Sequence, residues 1–427
     1  MRMHPCFDIP LPNRPIVLGT ELARIRLGRK TLNGTLTGRV TMVPRPKVTL
    51  DVEVPPYFAL NLAEEAQVTM LSSGTEIPCQ IVKGQMISQT PSTIGLRPFQ
   101  DVAQGALDTP VAKVVFALPN FPDFLAHSVV RELPNGGGIR EDEMRLSFEG
   151  WKVTIRNTTD IKERKELLDE DGGSGITAIG ILESTDGRPF TWQNAEPHIE
   201  ALRVFLSFVC GRWTGPMLPA GLDPAGERVW FRWSVPLVGQ GCTVFTWFDT
   251  HHGMTLSDIA PAFMAKWHDP VWKETLSYAI YWFVRANSAA AGSDGSLILS
   301  QAALEILSWT YLVTCSGMSR RAFKEMPAAK TIGQLLTAIG IPSEVPVSLK
   351  ALQSISSDGA AAIVIVRNDL VHPEKRAGVL PATEAWTLAQ RFIELVILKL
   401  CEFDGEHANR TISPRWVGQV EPVPREL

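Results

Sequence analysis

Val48, Leu50, Val52 and Val54 alternate with Thr49, Asp51 and Glu53, the period-two pattern of a strand with one face on a core. Asn33-Gly34, a little upstream, reads as a hairpin turn between such strands. The alternation returns in Met144, Leu146 and Phe148 and again in Trp151, Val153 and Ile155, with Glu149-Gly150 between the two runs. That spacing predicts a second hairpin. Polar or glycine-rich breaks near 134–138, 169–175 and 219–226 predict exposed loops. One helix is expected in this half: Asn194 can cap it, Pro197 fits its first turn, and Ile199, Leu202, Leu206 and Val209 make an apolar stripe.

From about Ser257 onward the period becomes helical. Asp258 before Ile259 and Pro261, and Asp269 before Pro270, are helix starts. Trp272, Leu276, Ala279 and Phe283 recur at helical spacing, and a second long helix should run from about Ser296 through Ala302, Glu305 and Leu312. Shorter helices are expected near 332–339 and 347–355. A last one begins at Pro381 and carries Leu388, Phe392, Leu395, Leu398 and Leu400, after which Pro414, Pro422 and Pro424 argue against another long element. The chain therefore reads as α+β, with a β-rich domain over 1–265, an all-α helical domain over 266–405 and a tail over 406–427.

Composition changes this picture little. The 427 residues are 20% charged and 45% hydrophobic, as in soluble globular chains. The balance of 41 Lys plus Arg against 45 Asp plus Glu gives a net charge of −4, so a nucleic-acid or anionic-membrane contact has to be local. Six cysteines without CxxC spacing indicate neither a zinc ribbon nor a disulfide framework, and they read as reduced, mostly buried thiols. The first residues lack a signal-peptide core, and no stretch approaches the length of a membrane span. A cytoplasmic protein with no membrane partner is expected.

Candidate chemistry is sparse. Asp249, His251, His252, His268 and Asp269 form a His-rich neighbourhood, but adjacent histidines in a strand point to opposite faces, so no metal is expected there. The dense tryptophans between Trp192 and Trp282 read as packing residues. Gly136-Gly137-Gly138 reads as a flexible loop, and no Walker loop, Gly-x-Ser-x-Gly elbow or dinucleotide fingerprint occurs.

One segment stands apart: Ala360-Ala-Ala-Ile-Val-Ile-Val-Arg-Asn-Asp-Leu-Val-His-Pro373, apolar and then abruptly polar. Arg367 and His372 suit phosphoryl chemistry, because a guanidinium addresses two phosphate oxygens and imidazole accepts a proton near neutrality. Positions five apart on a regular helix differ by about 140°, so something must end the helix between them. Pro373 biases His372 away from helical backbone, which lets its ring turn back towards Arg367. Asp369 can orient one ring nitrogen, or can be a solvated acid on a frayed turn. Ile363 to Val366 is a β-branched run that propensity alone assigns to a strand, whereas Ile363, Val366 and Leu370 fit a helical stripe.

This segment resembles the HEPN superfamily, whose motif is an Arg, a polar residue such as Asn, Asp or His, a few further positions and a His. Arg367, Asn368 and His372 match it. A β-rich first half followed by such a domain is similar in architecture to the ApeA-type anti-phage proteins. The resemblance implies that the stretch before Arg367 is helical and that the helical half is a HEPN-like bundle. It also implies a metal-independent endoribonuclease with no cofactor, in which His372 is general base, Arg367 stabilises the phosphate and Asn368 assists. The implied partners are RNA, tRNA among the candidates, a second copy of the chain in a homodimer or higher homo-oligomer with facing motifs, and a phage-derived trigger of abortive infection. The alternative it leaves is a non-catalytic nucleotide- or RNA-binding or dimerisation module. Glu305, amid apolar neighbours on a long helix, and Arg285 are further candidates, the first as a partner of Arg367 and the second as a phosphate contact.

Overall fold

The structure is a computed structural model that describes residues 6–28, 30–54, 65–83, 92–132, 138–242, 244–288, 292–372 and 380–424. Alternation dominates its beginning. Strands β1 (Ile16–Leu27), β2 (Lys30–Thr41), β3 (Lys47–Val54), β4 (Glu65–Met70), β5 (Glu76–Lys83) and β6 (Ser92–Pro98) close into a barrel in the order β1-β2-β3-β6-β5-β4, every pairing antiparallel. Ala23, Ile25, Val40, Leu50, Val52, Val68, Ile94 and Leu96 fill its inside, and closure leaves no unpaired strand edge. The expected strand over Val48 to Val54 is therefore a barrel stave.

The turn expected at Asn33-Gly34 is not there. Both residues lie inside β2, opposite Arg24 and Ala23, and the hairpin turns at Gly28, whose φ is 56°. Gly34 serves close approach instead: a Cβ on it would stand 2.7 Å from the Glu53 carbonyl oxygen.

Beyond the barrel follow β7 (Val102–Gln104), β8 (Lys113–Pro119), the hairpin β9 (His127–Glu132) and β10 (Gly138–Phe148), then β11 (Trp151–Asn157), α1 (Ile161–Asp171), β12 (Ile176–Ser184), α2 (Trp192–Cys210), β13 (Met217–Leu222) and β14 (Arg228–Trp233). Glu149 and Gly150 both have positive φ, 47° and 83°, the left-handed pair of a two-residue tight turn at the expected place. Gly136 and Gly137 lie outside the described residues, and Gly138 opens β10. Helix α2 starts earlier than its apolar stripe suggests: the Asn194 side chain reaches back to the Thr191 N–H at 3.0 Å, the third-position half of a capping box. The break expected over 219–226 shrinks to the turn Asp223–Gly226, because β13 takes the residues before it. Helix α1 had no expectation, since its IKERKELLDED sequence buries only Arg164 and Leu168 and shows no apolar stripe.

The chain divides into two compact units that interleave, where the composition shift placed one boundary near 265. The first holds residues 1–123, 150–203 and 214–242, and the second holds 124–149, 204–213 and 243–427. In the first, β7, β14, β13, β8, β12 and β11 lie side by side in that order, and Trp233 packs into the same core as the barrel residues.

The second unit holds the β9–β10 hairpin and, after residue 243, is mainly helical: α3 (Thr255–His268), α4 (Pro270–Asn287), α5 (Gly292–Trp309), α6 (Arg320–Glu325), α7 (Ala328–Ala338), α8 (Lys350–Gln353), α9 (Gly359–Val371) and α10 (Ala382–Leu400). Asp269 caps α4 through the Val271 N–H at 2.9 Å, with Pro270 at its first position. Phe205, Phe208, Trp247, Phe263 and Phe283 pack ring against ring within the unit, Phe208 and Phe263 stacked and the other pairs tilted. Helix α5 continues through a π-helical stretch, Thr310–Cys315. Contrary to the expectation that nothing approaches membrane length, Gly292–Cys315 is long and apolar enough to cross one. Its buried face carries Ser296, Leu297, Ser300, Gln301 and Leu304, and it packs against α4 and α10. Cys79, Cys210 and Cys401 are buried, and burial pushes each thiol up to about 12.

Residues 406–424, the described part of the expected tail over 406–427, fold back within the second unit through β15 (Glu406–His407) and β16 (Glu421–Pro422). Glu421 accepts from Arg391 of α10 at 3.0 Å and from Asn409 at 2.9 Å. Beside them His407 is 1% exposed and hydrogen-bonds through Nδ1 to the Glu421 carbonyl oxygen. Burial lowers its pKa from the ordinary 6.5 to about 4; Glu421 raises it and Arg391 lowers it, each by less than burial does. The folded pKa lies below the unfolded one, so this contribution to stability is complete above about pH 6.5 and is lost as pH falls towards about 4. Urea midpoints of the wild-type chain are expected to decline across that window, and His407→Asn should flatten the decline. Parallel curves for the two proteins would contradict the assignment.

Candidate functional site

Asp358 opens the helix that carries the Arg-Asn-His motif. One carboxylate oxygen accepts from the Ala361 N–H at 2.7 Å and the other from the Ser343 hydroxyl at 3.0 Å, which caps the first turn. At Gly359 a Cβ would stand 2.7 Å from the Ser343 carbonyl oxygen and 2.9 Å from a Leu388 methyl of α10, so the glycine lets the two helices approach. Ala360, Ala362, Ile363, Val364 and Val366 are buried, and α9 packs on α5, α7 and α10. This packing resolves the β-branched run as helix: each Ile or Val costs a few tenths of a kcal/mol in propensity, while full burial contributes about 1.5–3 kcal/mol. Asp358→Ala is expected to lower stability by about 1–2 kcal/mol, read as a lower urea midpoint at constant slope. A midpoint equal to wild type would show the cap to be dispensable.

The motif sits at the other end of α9. The last helical residue is Val371, and His372 leaves helical backbone with φ −120° and ψ 80° while its N–H still bonds the Asn368 carbonyl at 2.9 Å. A residue that precedes proline is pushed out of the helical region in this way; Pro373 itself lies outside the described residues. Arg367 is half-buried, with Nη1 donating to Asn368 Oδ1 at 3.3 Å and Nε buried without an acceptor among the described residues. Asn368 and His372 are exposed, and Asp369 is half-buried. One helix terminus thus carries a guanidinium whose buried Nε has no acceptor among the described residues, an exposed amide that touches it, and an exposed imidazole whose backbone has turned off the helix.

The two further candidates do not join them. Glu305 on α5 accepts from Gln301 Nε2 at 2.7 Å, and Arg285 is exposed in the last turn of α4. Among the described residues no hydrogen bond or ion pair links either to Arg367, Asn368 or His372. Helical spacing on separate elements could not place them. Asp358 was missed by the sequence reading, although Asp before a small-residue helical run is a capping signal. A groove of about 560 Å³ lined by Lys330, Gly333, Gln334, Ser343 and Asp358 lies at the start of α9, about 13 Å of helix before Arg367.

In the His-rich neighbourhood the two aspartates, Asp249 and Asp269, cap helical turns. Residues 250–252 form a short 3₁₀ turn and not the strand assumed for them. Asp249 caps that turn through the His251 N–H at 2.9 Å and accepts from the Gly418 N–H at 2.9 Å. His252 Nδ1 is 3.5 Å from Asp249, His268 Nδ1 is 2.6 Å from Glu149 Oε2, and Asp269 caps α4.

Residues 269–421 match the family model of the YopA C-terminal domain, and residues 107–244 match that of the YopA central domain. The chain is also similar to an SPbeta prophage-derived uncharacterized protein YopA of Bacillus subtilis (strain 168), 26% identical over 324 residues that cover 74% of this chain and 73% of that protein. No solved structure matches.

Proposed function

We propose that the chain is a metal-independent endoribonuclease of HEPN type that acts in the cytoplasm, in anti-phage defence by abortive infection. The observation that supports this reading best is the end of α9, where a half-buried guanidinium, its buried Nε without an acceptor among the described residues, stands five residues before an exposed imidazole whose backbone has left the helix. His372 takes the proton of a ribose 2′-hydroxyl. The 2′ oxygen then attacks the adjacent phosphorus, the bond to the 5′ oxygen breaks, and that oxygen leaves with a proton from solvent, giving a 2′,3′-cyclic phosphate and a free 5′-hydroxyl. Arg367 meets the charge that gathers on the phosphate oxygens, and Asn368 holds the guanidinium in place. The nucleophile belongs to the substrate, so the step needs no metal-bound water. RNA, with tRNA among the candidates, is the substrate class. Two copies facing each other across a dimer would complete the cleft, and a phage-derived signal would release it. The reading is tested by incubating total RNA with wild type, Arg367→Ala and His372→Ala; equal cleavage by all three defeats it.

A further inference from the structure

The barrel carries a cationic surface that the proposed chemistry does not use. Arg24-Ile-Arg-Leu-Gly-Arg-Lys30 places four basic residues in seven with no acid among them. Along β1 the apolar Ile25 and Leu27 go to the core and Arg24 and Arg26 are exposed. Register sets their surroundings. Arg24 lies between Asn33 of β2 and Thr69 of β4, and Arg26 between Thr31 and Gln67, so their immediate cross-strand neighbours are uncharged hydrogen-bonding residues; Glu76 stands one strand further, opposite Thr69, and accepts from Gln67 at 3.3 Å. Other barrel arginines are engaged: Arg39 pairs with Asp51 at 3.3 Å and Arg97 donates to Gln80 at 2.6 Å. Among the described residues no ion pair neutralises Arg24 or Arg26.

Alternate positions on an antiparallel strand are about 6.8 Å apart, a separation of the same order as that between successive phosphates of an extended single strand. A guanidinium pair at this spacing, bordered by Thr, Asn and Gln, can address neighbouring phosphates. None of the six residues offers an aromatic face on which a base could stack, so contact would be to the backbone and independent of sequence.

We propose that this face of the barrel binds the phosphate backbone of single-stranded RNA, as a docking surface separate from the residues that cleave it. The choice of RNA rests on the nuclease reading; the cationic face does not. Binding of a short 5′-labelled oligouridylate is followed by fluorescence anisotropy across a salt titration, using the full chain with His372→Ala so that the probe survives. Adding Arg24→Gln and Arg26→Gln together is expected to weaken binding roughly tenfold and to reduce the magnitude of the log K against log salt slope by about 1.4, two single-strand phosphate contacts. The double Lys replacement should keep most of the slope. Unchanged affinity and slope in the Gln variant, absence of binding, or preference for phosphatidylserine vesicles over RNA overturns the proposal. The two readings fail separately. Arginine-dependent binding by a chain that cleaves no RNA leaves docking standing without the nuclease, and cleavage with arginine-independent binding does the reverse.

Discussion

His372→Ala is expected to reduce RNA cleavage by about 10²–10⁴-fold, the range a positioned general base contributes, and to leave the unfolding midpoint at the wild-type value. The second half of that expectation comes from the fold. The His372 side chain is exposed, and the bond that ends α9 is made by its backbone N–H to the Asn368 carbonyl, which alanine retains. Arg367→Lys is the companion variant: lysine keeps the charge but loses the planar two-point fork, so cleavage should fall well below wild type. Cleavage by His372→Ala within about threefold of wild type, with the protein folded, would remove the base from the mechanism. Parallel loss of cleavage and of folding would instead give His372 a structural task that its exposure argues against.

The largest effect on stability is expected at Arg410. Its side chain is 4% exposed and that of Glu394 on α10 is 1% exposed, and the guanidinium fork grips the carboxylate through Nε at 3.0 Å and through Nη2. The remaining groups are satisfied as well: Nη1 donates to Asn287 Oδ1 at 3.2 Å, Nη2 to the Phe245 carbonyl at 3.0 Å, and Glu394 accepts the Trp247 N–H at 3.0 Å. This bonded set joins α4, α10, the stretch around Trp247 and the folded-back C-terminal segment. Arg410→Ala leaves a carboxylate out of water with one N–H partner and should cost about 3–5 kcal/mol. Replacing both residues by methionine removes both charges together and should recover part of that loss. A urea midpoint for Arg410→Ala within about 0.5 kcal/mol of wild type would show that the carboxylate reaches water in the folded chain.

Several elements of the fold were legible because they announce themselves over a few residues. Asp269-Pro270 is a helix start in any context, since the carboxylate and the pre-set proline φ act within one turn. The alternation from Val48 to Val54 declares a strand with one buried face, and Phe148-Glu149-Gly150-Trp151 turns where expected. Other signals misled because a distant partner outweighed them. Asn33-Gly34 has turn chemistry, yet the close approach of the Glu53 carbonyl and pairing to Arg24 and Ala23 keep it inside a strand. His251 and His252 were placed on a strand and lie in a 3₁₀ turn held by Asp249.

The site divides along the same line. Arg367, Asn368 and His372 were legible as a group because they fall within six consecutive positions, and Pro373 bears locally on where the helix stops. That no hydrogen bond among the described residues joins Glu305 or Arg285 to the motif could not be read, because contact between side chains on separate helices depends on how those helices pack.

Taken alone, the amino-acid order determined which stretches bury one face, where many helices begin, and which few side chains can do phosphoryl chemistry, since each of these depends on neighbours within about one turn or one hairpin. Only the tertiary structure decided that Ile363 to Val366 is helical, that six strands close into a barrel, and that residues 406–424 lock onto α10. Those outcomes depend on surface buried between segments far apart in the chain, and that free energy exceeds the local preferences it overrides.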